Sequence, residues 1–188
     1  MQFTETDIKG VWIIDPIRIG DSRGYFMETF RRDEFEAHVG HVDFVQENES
    51  VSHRGVLRGL HFQRGEWSQA KLVRVSSGRV VDVAVDLRTG SPTFGQHVAV
   101  ELSADNCRQL FVPRGFAHGF VVLSDVAQFQ YKVDNYYHPE AECSLRFDDP
   151  ELGIDWILPE QELHLSDKDL RGLPLAEIIR CGGAGCDL

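Results

Sequence analysis

The feature that most constrains the fold of this chain is a series of short alternating patterns in its middle. Between residues 81 and 87, valine and leucine alternate with Asp82, Ala84 and Asp86, which is the spacing of a β-strand with one buried face. Turns rich in Gly, Ser, Pro, Asp and Asn separate this run from similar runs at residues 56–62, 71–76, 97–102, 109–112, 115–123 and 127–135. Many short strands at this spacing predict an all-β sandwich or barrel.

Helical signals are confined to the two ends of the chain. Residues 31–39 can form two turns, with Phe35 and Val39 one turn apart on the buried side. Near the other end, Ser166 is followed by Asp167 and Asp169, an arrangement typical of a helix N-cap with acids in the first turn. We therefore expect short helices that decorate a β core.

The length of 188 residues fits one domain and is too short for two ordinary ones. Neither a linker nor an internal repeat divides the sequence. We expect a single domain over residues 1–188, with a core at about 40–148 on which an N-terminal arm (1–39) and a C-terminal segment (149–188) pack.

Charge disfavours one class of function and leaves another open. Nineteen basic and thirty acidic residues give a net charge of −11, which disfavours nucleic-acid binding. Residues 51–80 run against this trend, with a single acid, Glu66, and the six basic residues Arg54, Arg58, Arg64, Lys71, Arg74 and Arg79. This basic segment indicates either a local site for an anionic ligand or a pair of strands whose cations meet acidic neighbours.

Neither the apolar runs nor the cysteines indicate a membrane or metal role. No apolar run approaches the roughly 20 residues that a membrane-spanning helix needs, and the first ten residues lack a signal-peptide pattern, so a soluble, cytoplasmic protein is expected. The cysteines Cys107, Cys143, Cys181 and Cys186 have no zinc-ligand spacing. The last two lie in a short C-terminal tail to which we assign no role.

Two histidines lie in patterns typical of cupins. Gly55 to His61 matches the G-x5-H opening of the first cupin motif, and the segment ending at His118 matches the P-x-G-x-x-H of the second. A metal-binding cupin would have a second histidine at position 63 and a carboxylate four or five residues later, whereas this chain has Gln63 and no acid at 67 or 68. We therefore expect a cupin-type jelly roll without a metal site. The two histidines by themselves would also suit a structural role.

Six motifs in order resemble the dTDP-4-dehydrorhamnose 3,5-epimerase family over about residues 7–175. They are GDSRGYFME (20–28), GVLRGLHFQ (55–63), QAKLV (69–73), VPRGFAHGF (112–120), YK…YY (131–137) and LSDKD (165–169). The resemblance covers nearly the whole chain. It implies a cupin-like isomerase, free of metal and cofactor, that acts on a dTDP-4-keto-6-deoxyhexose.

The resemblance also implies four catalytic residues. A C–H bond beside a ketone is acidic because its carbanion becomes an enolate, so inversion there needs a base on one face, an acid on the other, and a cation or donor at the ketone oxygen. By similarity, His61 is the base and Asp169 orients it through the other ring nitrogen. Lys71 then stabilises the enolate, and Tyr131 returns the proton from the opposite face. A helix-start role for Asp169 and a packing role for Tyr131 stay open.

Further residues resemble the substrate contacts of the family. By similarity, Arg58 contacts the diphosphate, Gln46 and Asn48 bind the nucleotide, and Tyr136 stacks on thymine. His118 is implied as a substrate or oxyanion contact, with a buried packing role as the alternative. The other implied contacts are Glu142 and Lys168, together with Arg23, Phe26 and Glu28 in a segment that reaches a neighbouring subunit. A homodimer is therefore implied, and a plain surface role stays open for the outer contacts.

The expected reaction is the epimerisation at C3 and C5 of dTDP-4-dehydro-6-deoxy-D-glucose to dTDP-4-dehydro-L-rhamnose, in deoxysugar biosynthesis. The alternatives are an enzyme that inverts only C3 or only C5, a 3,4-ketoisomerase, and an inactive module that binds a dTDP-sugar. A metal-dependent cupin oxygenase is disfavoured because two of the four cupin ligands are missing from the sequence.

Overall fold

The computed structural model describes residues 1–180 and Ala184, and strands predominate over this part of the chain. The strands are β1 (Gln2–Glu5), β2 (Trp12–Asp15), β3 (Arg18–Asp21), β4 (Gly24–Met27), β5 (Gln46–His53), β6 (Leu57–Gln63), β7 (Lys71–Ser77), β8 (Arg79–Asp86), β9 (His97–Ser103), β10 (Gln109–Val112), β11 (Phe116–Val122), β12 (Val126–Val133) and β13 (Glu142–Ser144). The helices are α1 (Arg32–His38) and α2 (Leu175–Arg180), with 3-10 turns at Gly65–Trp67, Pro139–Ala141, Glu160–Glu162 and Asp169–Arg171. Of the helices in this described part, none has the length and apolar character needed to cross a membrane.

Two antiparallel sheets pack face to face. The six-stranded sheet has the order β1-β2-β10-β7-β12-β5, and the five-stranded sheet has the order β13-β6-β11-β8-β9. From β5 onward most connections cross from one sheet to the other, whereas β8 and β9 form a hairpin within one sheet. This alternation is typical of a jelly roll. The predicted all-β jelly roll with short helical decorations is confirmed.

The core lies between the two sheets. Valines of β7 in the six-stranded sheet share one apolar cluster with Val80 and Ala84 of β8 in the five-stranded sheet. Within this cluster, Phe120 of β11 stacks on Phe129 of β12 with ring centroids 4.1 Å apart. Because these rings come from opposite sheets, their contact forms part of the packing between the two layers.

The seven strands predicted from alternating patterns are present as β6 to β12. The prediction of one buried face for residues 81–87 is wrong, because every residue of β8 from Val80 to Asp86 is buried. β8 lies between β11 and β9, with the core on one side and, on the other, a second cluster that includes Trp156 and Ile178 of the C-terminal segment. The two acids on β8 therefore need partners inside the protein, and each has one, His118 for Asp82 and Arg88 for Asp86.

The N-terminal segment contributes two strands to the six-stranded sheet. β1 pairs with β2, and β2 pairs with β10. The helix predicted within residues 31–39 is present as α1, and its Phe35 packs edge-on against Phe111 with centroids 5.3 Å apart. The hairpin of β3 and β4 forms a separate two-stranded sheet in which every residue except Met27 is exposed.

The helix start predicted at Ser166 takes the form of a capping box. Ser166 Oγ accepts from the backbone N–H of Asp169 at 3.3 Å, and Asp169 Oδ2 accepts from the backbone N–H of Ser166 at 3.2 Å. The turn that follows is the single 3-10 turn Asp169–Arg171 rather than a longer helix. Cys181 and Cys186 lie outside the described residues.

Candidate active site

Three of the four residues expected to carry the chemistry meet where two cavities join. His61 lies on β6 of the five-stranded sheet, whereas Lys71 on β7 and Tyr131 on β12 lie on adjacent strands of the six-stranded sheet. All three line both a larger cavity of about 590 Å³ and a smaller one of about 320 Å³. We call this meeting point of the three residues the junction. It lies between the two layers of the sandwich.

His61 is held by a buried carboxylate. Its Nε2 donates to Asp169 Oδ1 at 2.6 Å, and Asp169 is only 3% exposed. Asp169 also accepts from Ser166 Oγ at 2.5 Å and from the backbone N–H of Gly59 at 3.2 Å. Because Nε2 is engaged, Nδ1 is the ring nitrogen available to a substrate. The structure thus brings His61 and Asp169 together as the resemblance implies.

Hydrogen bonding keeps Asp169 ionised. Burial by itself would raise the pKa of this carboxyl, but the bonds from His61, Ser166 and Gly59 hold the pKa at about 2. The carboxylate is therefore charged throughout the neutral range, and it can stabilise an imidazolium that forms when His61 takes a proton.

Close approach of two strands places His61 in this position. An added Cβ at Gly59 would lie 2.5 Å from the Cα of Gly119, and the φ of +133° at Gly59 also favours glycine. The register of β6 and β11 shifts between His118 and Phe120, next to this contact. The two glycines thus let the strands approach at the point where His61 and His118 face each other across the ladder.

Lys71 is a half-buried cation at the start of β7. Burial lowers its pKa from the ordinary lysine value to about 8, and the negative charges of Asp82 and Glu142 oppose this effect. The ammonium is therefore charged at neutral pH, and it is poorly solvated. Such a group stabilises an oxyanion more strongly than an exposed lysine would.

Tyr131 is a half-buried phenol. Burial raises its pKa, while the positive charge of Arg58 and a hydrogen bond with Asn48 act in the opposite direction. The hydroxyl therefore keeps its proton at neutral pH and can donate it. Asn48 lies opposite Tyr131 in the β5–β12 ladder.

His118 is paired with a buried acid rather than with apolar side chains alone. Its Nε2 lies 2.9 and 3.0 Å from the two carboxylate oxygens of Asp82, and both residues are buried. The histidine also lines the larger cavity. A packing role and a substrate contact are both compatible with this position, because the ring meets Phe129 at 6.2 Å on one side and the cavity on another.

The basic segment divides between the site and the surface. Arg58 and Lys71 line the larger cavity, and Arg58 Nε donates to Ser52 Oγ at 3.0 Å. Other members are paired away from the cavities, as Arg54 with Glu162 at 3.2 Å and Arg79 with Glu101 at 3.8 Å. The segment therefore contains cations that line the cavity as well as cations that pair with acidic neighbours.

The smaller cavity holds most of the remaining predicted contacts. Gln46 and Asn48 line it from β5, and their side chains are joined by a 2.7 Å hydrogen bond. Glu142 also lines it, accepts from Tyr137 Oη at 2.7 Å and forms an ion pair with Lys168, which lines the larger cavity. Tyr136 lines neither cavity of the described chain and is 62% exposed on the neighbouring loop.

The predicted contacts on the hairpin lie away from both cavities. Phe26 is 67% exposed, and Arg23 and Glu28 are exposed as well. The guanidinium of Arg23 bonds Asp21 of its own hairpin at 2.5 Å. Within the described chain these residues contribute nothing to the junction, so any role in a site requires a second molecule.

The two cupin-motif histidines are arranged for carboxylate partners rather than for a shared metal. His61 directs Nε2 to Asp169, and His118 directs Nε2 to Asp82. Over residues 1–180 and Ala184, the structure contains no group of three or more His, Cys, Asp or Glu side chains placed to hold a metal ion.

Sequence reasoning missed several residues of the site. Ser166 bonds the carboxylate of Asp169, Asp82 pairs with His118, and His164 lines the larger cavity. Gln63 was seen only as a missing ligand, although its side chain is buried at the rim of the smaller cavity. The sequence offers a signal for Asp82, because an acid within a valine-rich run needs a partner inside the protein.

Comparison with known proteins adds an independent line of evidence. A model of the dTDP-4-dehydrorhamnose 3,5-epimerase family matches residues 5–177. The Escherichia coli dTDP-4-dehydrorhamnose 3,5-epimerase is 53% identical over 182 residues, which cover 96% of this chain and 97% of that protein.

Solved structures share the fold of this chain. The crystal structure of dTDP-6-deoxy-D-glucose-3,5-epimerase from Legionella pneumophila, in complex with dTDP-4-keto-L-rhamnose, is 51% identical with a TM-score of 0.90, covering 94% of each chain. A 3'-monoepimerase from Streptomyces bikiniensis, in complex with dTDP-quinovose, is 37% identical with a TM-score of 0.88, covering 95% of this chain and 90% of that one.

Proposed function

This chain belongs to the dTDP-4-dehydrorhamnose 3,5-epimerase family, and we propose from that premise that it converts dTDP-4-dehydro-6-deoxy-D-glucose to dTDP-4-dehydro-L-rhamnose. The observation that carries the proposal is the junction. A histidine oriented by a buried carboxylate, a desolvated ammonium and a protonated phenol line the same two cavities. These are the base, the oxyanion partner and the acid that proton transfer beside a ketone requires.

The reaction follows from the chemistry of these three groups. His61 takes the proton from C5 or C3 through Nδ1, and the electron pair of the broken C–H bond moves into an enolate whose oxygen faces the ammonium of Lys71. Tyr131 then donates its proton to the opposite face of the same carbon. His61 then releases its extra proton to solvent and Tyr131 regains one from solvent, so atoms and charge balance and the substrate is only isomerised.

The larger cavity suits the rest of the substrate. Arg58 at its wall offers the planar, bidentate geometry that binds a diphosphate. His118 completes the environment of the sugar from the adjoining strand. Gln46 and Asn48, which line the smaller cavity, bind the nucleotide, and Tyr136 on the neighbouring loop stacks on the base. Glu142 and Lys168 are further substrate contacts at the two cavities.

The exposed hairpin supports a homodimer. Arg23, Phe26 and Glu28 lie outside both cavities of their own chain, yet they belong to a motif shared with the family. Phe26 is 67% exposed beside Ile19 at 66% and Tyr25 at 57%, and a patch of exposed apolar side chains is typical of an interaction surface. We place these residues in the active site of a second subunit.

The net charge of −11 disfavours a nucleic-acid partner. A nucleotide-sugar substrate supports a cytoplasmic location.

A second candidate is inversion at a single carbon. The monoepimerase from Streptomyces bikiniensis has the same fold with a TM-score of 0.88, so the architecture serves both outcomes. Identity favours double inversion, because the E. coli 3,5-epimerase is 53% identical and the monoepimerase is 37% identical.

An exchange experiment tests the proposal and separates these outcomes. The purified protein is incubated with dTDP-4-dehydro-6-deoxy-D-glucose in D2O, and the product is examined by NMR and mass spectrometry. We expect deuterium at both C3 and C5, with the L-rhamno configuration. Label at only one carbon would indicate a monoepimerase, and a ketone at C3 would indicate an isomerase. A product or recovered substrate with no label at C3 and none at C5 would overturn the proposal.

A further inference from the structure

The residue that replaces a metal ligand of other cupins has a different task in this chain. Gln63 ends β6, two residues after His61, and its side chain is 4% exposed. It lines the smaller cavity near Tyr137 and Glu142. A buried primary amide needs partners for both its oxygen and its nitrogen, so its contacts indicate what it holds.

Both ends of this amide bond the backbone of neighbouring loops. Gln63 Nε2 donates to the carbonyl oxygen of Trp67 at 2.6 Å and to that of Tyr136 at 3.1 Å. Its Oε1 accepts from the backbone N–H of His138 at 2.6 Å. One side chain thus ties the loop after β6 to the loop after β12, where it bonds the carbonyl of Tyr136 and the N–H of His138, on the two sides of Tyr137.

Other contacts join the same two loops. Asn135 Nδ2 donates to the carbonyl of Glu66 at 2.8 Å, and the ring of Trp67 stacks on that of His138 with centroids 4.0 Å apart. Gln69 Nε2 donates to the carbonyl of Asn135 at 2.7 Å. Asn135 Oδ1 also accepts from the backbone N–H of Tyr136 at 3.0 Å. Gln63 is the buried member of this set, and its bonds lie on both sides of Tyr137.

The loop held in this way carries Tyr136 and Tyr137, of which Tyr137 lines the smaller cavity. We call these two residues the Tyr136–Tyr137 edge. Tyr136 and Tyr137 are 62% and 54% exposed, so apolar packing does little to fix them. Their backbone is instead fixed by hydrogen bonds, and those of Gln63 are the most shielded from water. A flexible edge would lose conformational entropy when a planar base stacks on it, whereas a fixed edge loses little.

We propose that Gln63 is a positioning residue that holds the Tyr136–Tyr137 edge in place for the nucleotide base of the substrate. This inference rests on the proposed function, since it takes the ligand to be a thymidine diphosphate sugar. Gln63 acts through the loop and leaves the proton transfers at His61 and Tyr131 untouched. Its loss should therefore weaken binding of the nucleotide more than it slows the chemical step.

Binding of dTDP and of inorganic pyrophosphate tests the proposal by calorimetry. The variant Gln63→Met keeps the length of the side chain and removes all three hydrogen bonds. We expect its Kd for dTDP to rise roughly tenfold, and its KM to rise likewise while kcat changes by less than about threefold. Pyrophosphate lacks the base, so its Kd should stay within about twofold of the wild-type value.

The matched control is Trp156→Phe, which removes one buried hydrogen bond to the carbonyl of Phe147, and neither of these residues lines the two cavities. This variant should lose stability but keep the wild-type Kd for dTDP. If Gln63→Met does not fold, Gln63→Glu replaces it, because a carboxylate still accepts from His138 but cannot donate to Trp67 or Tyr136.

The outcomes separate this inference from the proposed function. If the wild-type protein binds dTDP and the Gln63 variant binds it with the same Kd, the role of Gln63 is overturned and the proposed function is unaffected. An equal loss of dTDP and pyrophosphate binding also overturns it, because the effect would then be general. Wild-type protein that does not bind dTDP overturns the proposed function and this inference with it.

Discussion

The junction and the β3–β4 hairpin present their candidate residues in opposite ways. At the junction, His61, Lys71 and Tyr131 project from central strands, and each is constrained by burial or by a buried partner. On the hairpin, Arg23 lies in the turn and Phe26 lies on β4. The two strands of the hairpin pair only with each other in the described chain, and both side chains are exposed.

This contrast indicates which parts of a site one chain can build alone. Proton transfer needs groups whose pKa and position are fixed, and only the interior of the sandwich provides both. Recognition of an extended ligand can use surface groups that are fixed later, by a second subunit. We therefore expect mutations at the junction to act on the rate within one chain, and mutations on the hairpin to act on affinity between chains.

The largest effect is expected for His61→Asn. The amide keeps a polar side chain of similar size but cannot take the proton, so turnover and deuterium uptake at both carbons should fall about 10³-fold. The measurement is the exchange experiment in D2O, together with the Kd for dTDP, which should stay near the wild-type value because the nucleotide is bound elsewhere in the cavities. Exchange at the wild-type rate would show that another group is the base.

The next largest effect is expected for Tyr131→Phe, about 10²-fold on epimerisation. The base remains in this variant, so a proton can still leave and return on the same face. Deuterium should therefore enter the substrate faster than configuration inverts, which NMR of the recovered sugar would show. Equal losses of exchange and inversion would place Tyr131 outside the role of acid and weaken the separation of roles within the junction.

A change of about tenfold is expected on the hairpin, where Arg23→Ala with Phe26→Ala should raise the KM for the dTDP-sugar. The distinctive measurement is a mixing experiment. When this double variant is mixed with His61→Asn protein and the subunits exchange, a mixed dimer contains one site with both an intact base and an intact hairpin from its partner.

Activity that appears on mixing would support a hairpin acting in the partner subunit. If the mixture is no more active than the sum of its components, the hairpin acts within its own chain or not at all, and the contrast between the two regions breaks down. A matched control is the mixture of wild-type protein with the double variant.

The smallest effect concerns pH. Because burial lowers the pKa of Lys71 to about 8, the ammonium loses its proton as the pH rises through that value, and the charge that faces the enolate is lost. We expect kcat at pH 8 to be about half of its value near pH 6.5, from this group alone. The variant Lys71→Arg should be slower overall but should lack this decline, because a guanidinium stays charged. An unchanged decline in that variant would assign it to another residue.

The sequence predicted the fold where hydrophobic contrast was strong. Strands β6 to β12 alternate or run in valine and leucine, so their period is visible. The sequence pattern does not predict β5 because its inward face is polar. Gln46, Asn48 and Ser50 lie at alternate positions and line the cavities, and Ser52 is buried next in the same series. A strand that lines a binding site has no apolar stripe, and its sequence resembles a loop.

The residues of the candidate site could be predicted from the sequence, whereas most of the hydrogen bonds that hold them could not. The motifs named His61, Lys71, Tyr131 and Asp169, and the structure brings the first three to one junction with Asp169 behind the base. The tie of Gln63 to two loops depends on backbone carbonyls that any residue supplies, so no pattern of side chains could reveal it.

The stacked rings of Phe120 and Phe129 connect the packing of the hydrophobic core to the rate of turnover. The base projects from one layer of the sandwich, and the acid and the cation project from the other. Both rings also line the larger cavity, so their packing contributes to the distance across which these groups face a keto-sugar. Residues of the core that take no part in proton transfer are therefore expected to affect the rate of epimerisation, because their size influences this distance.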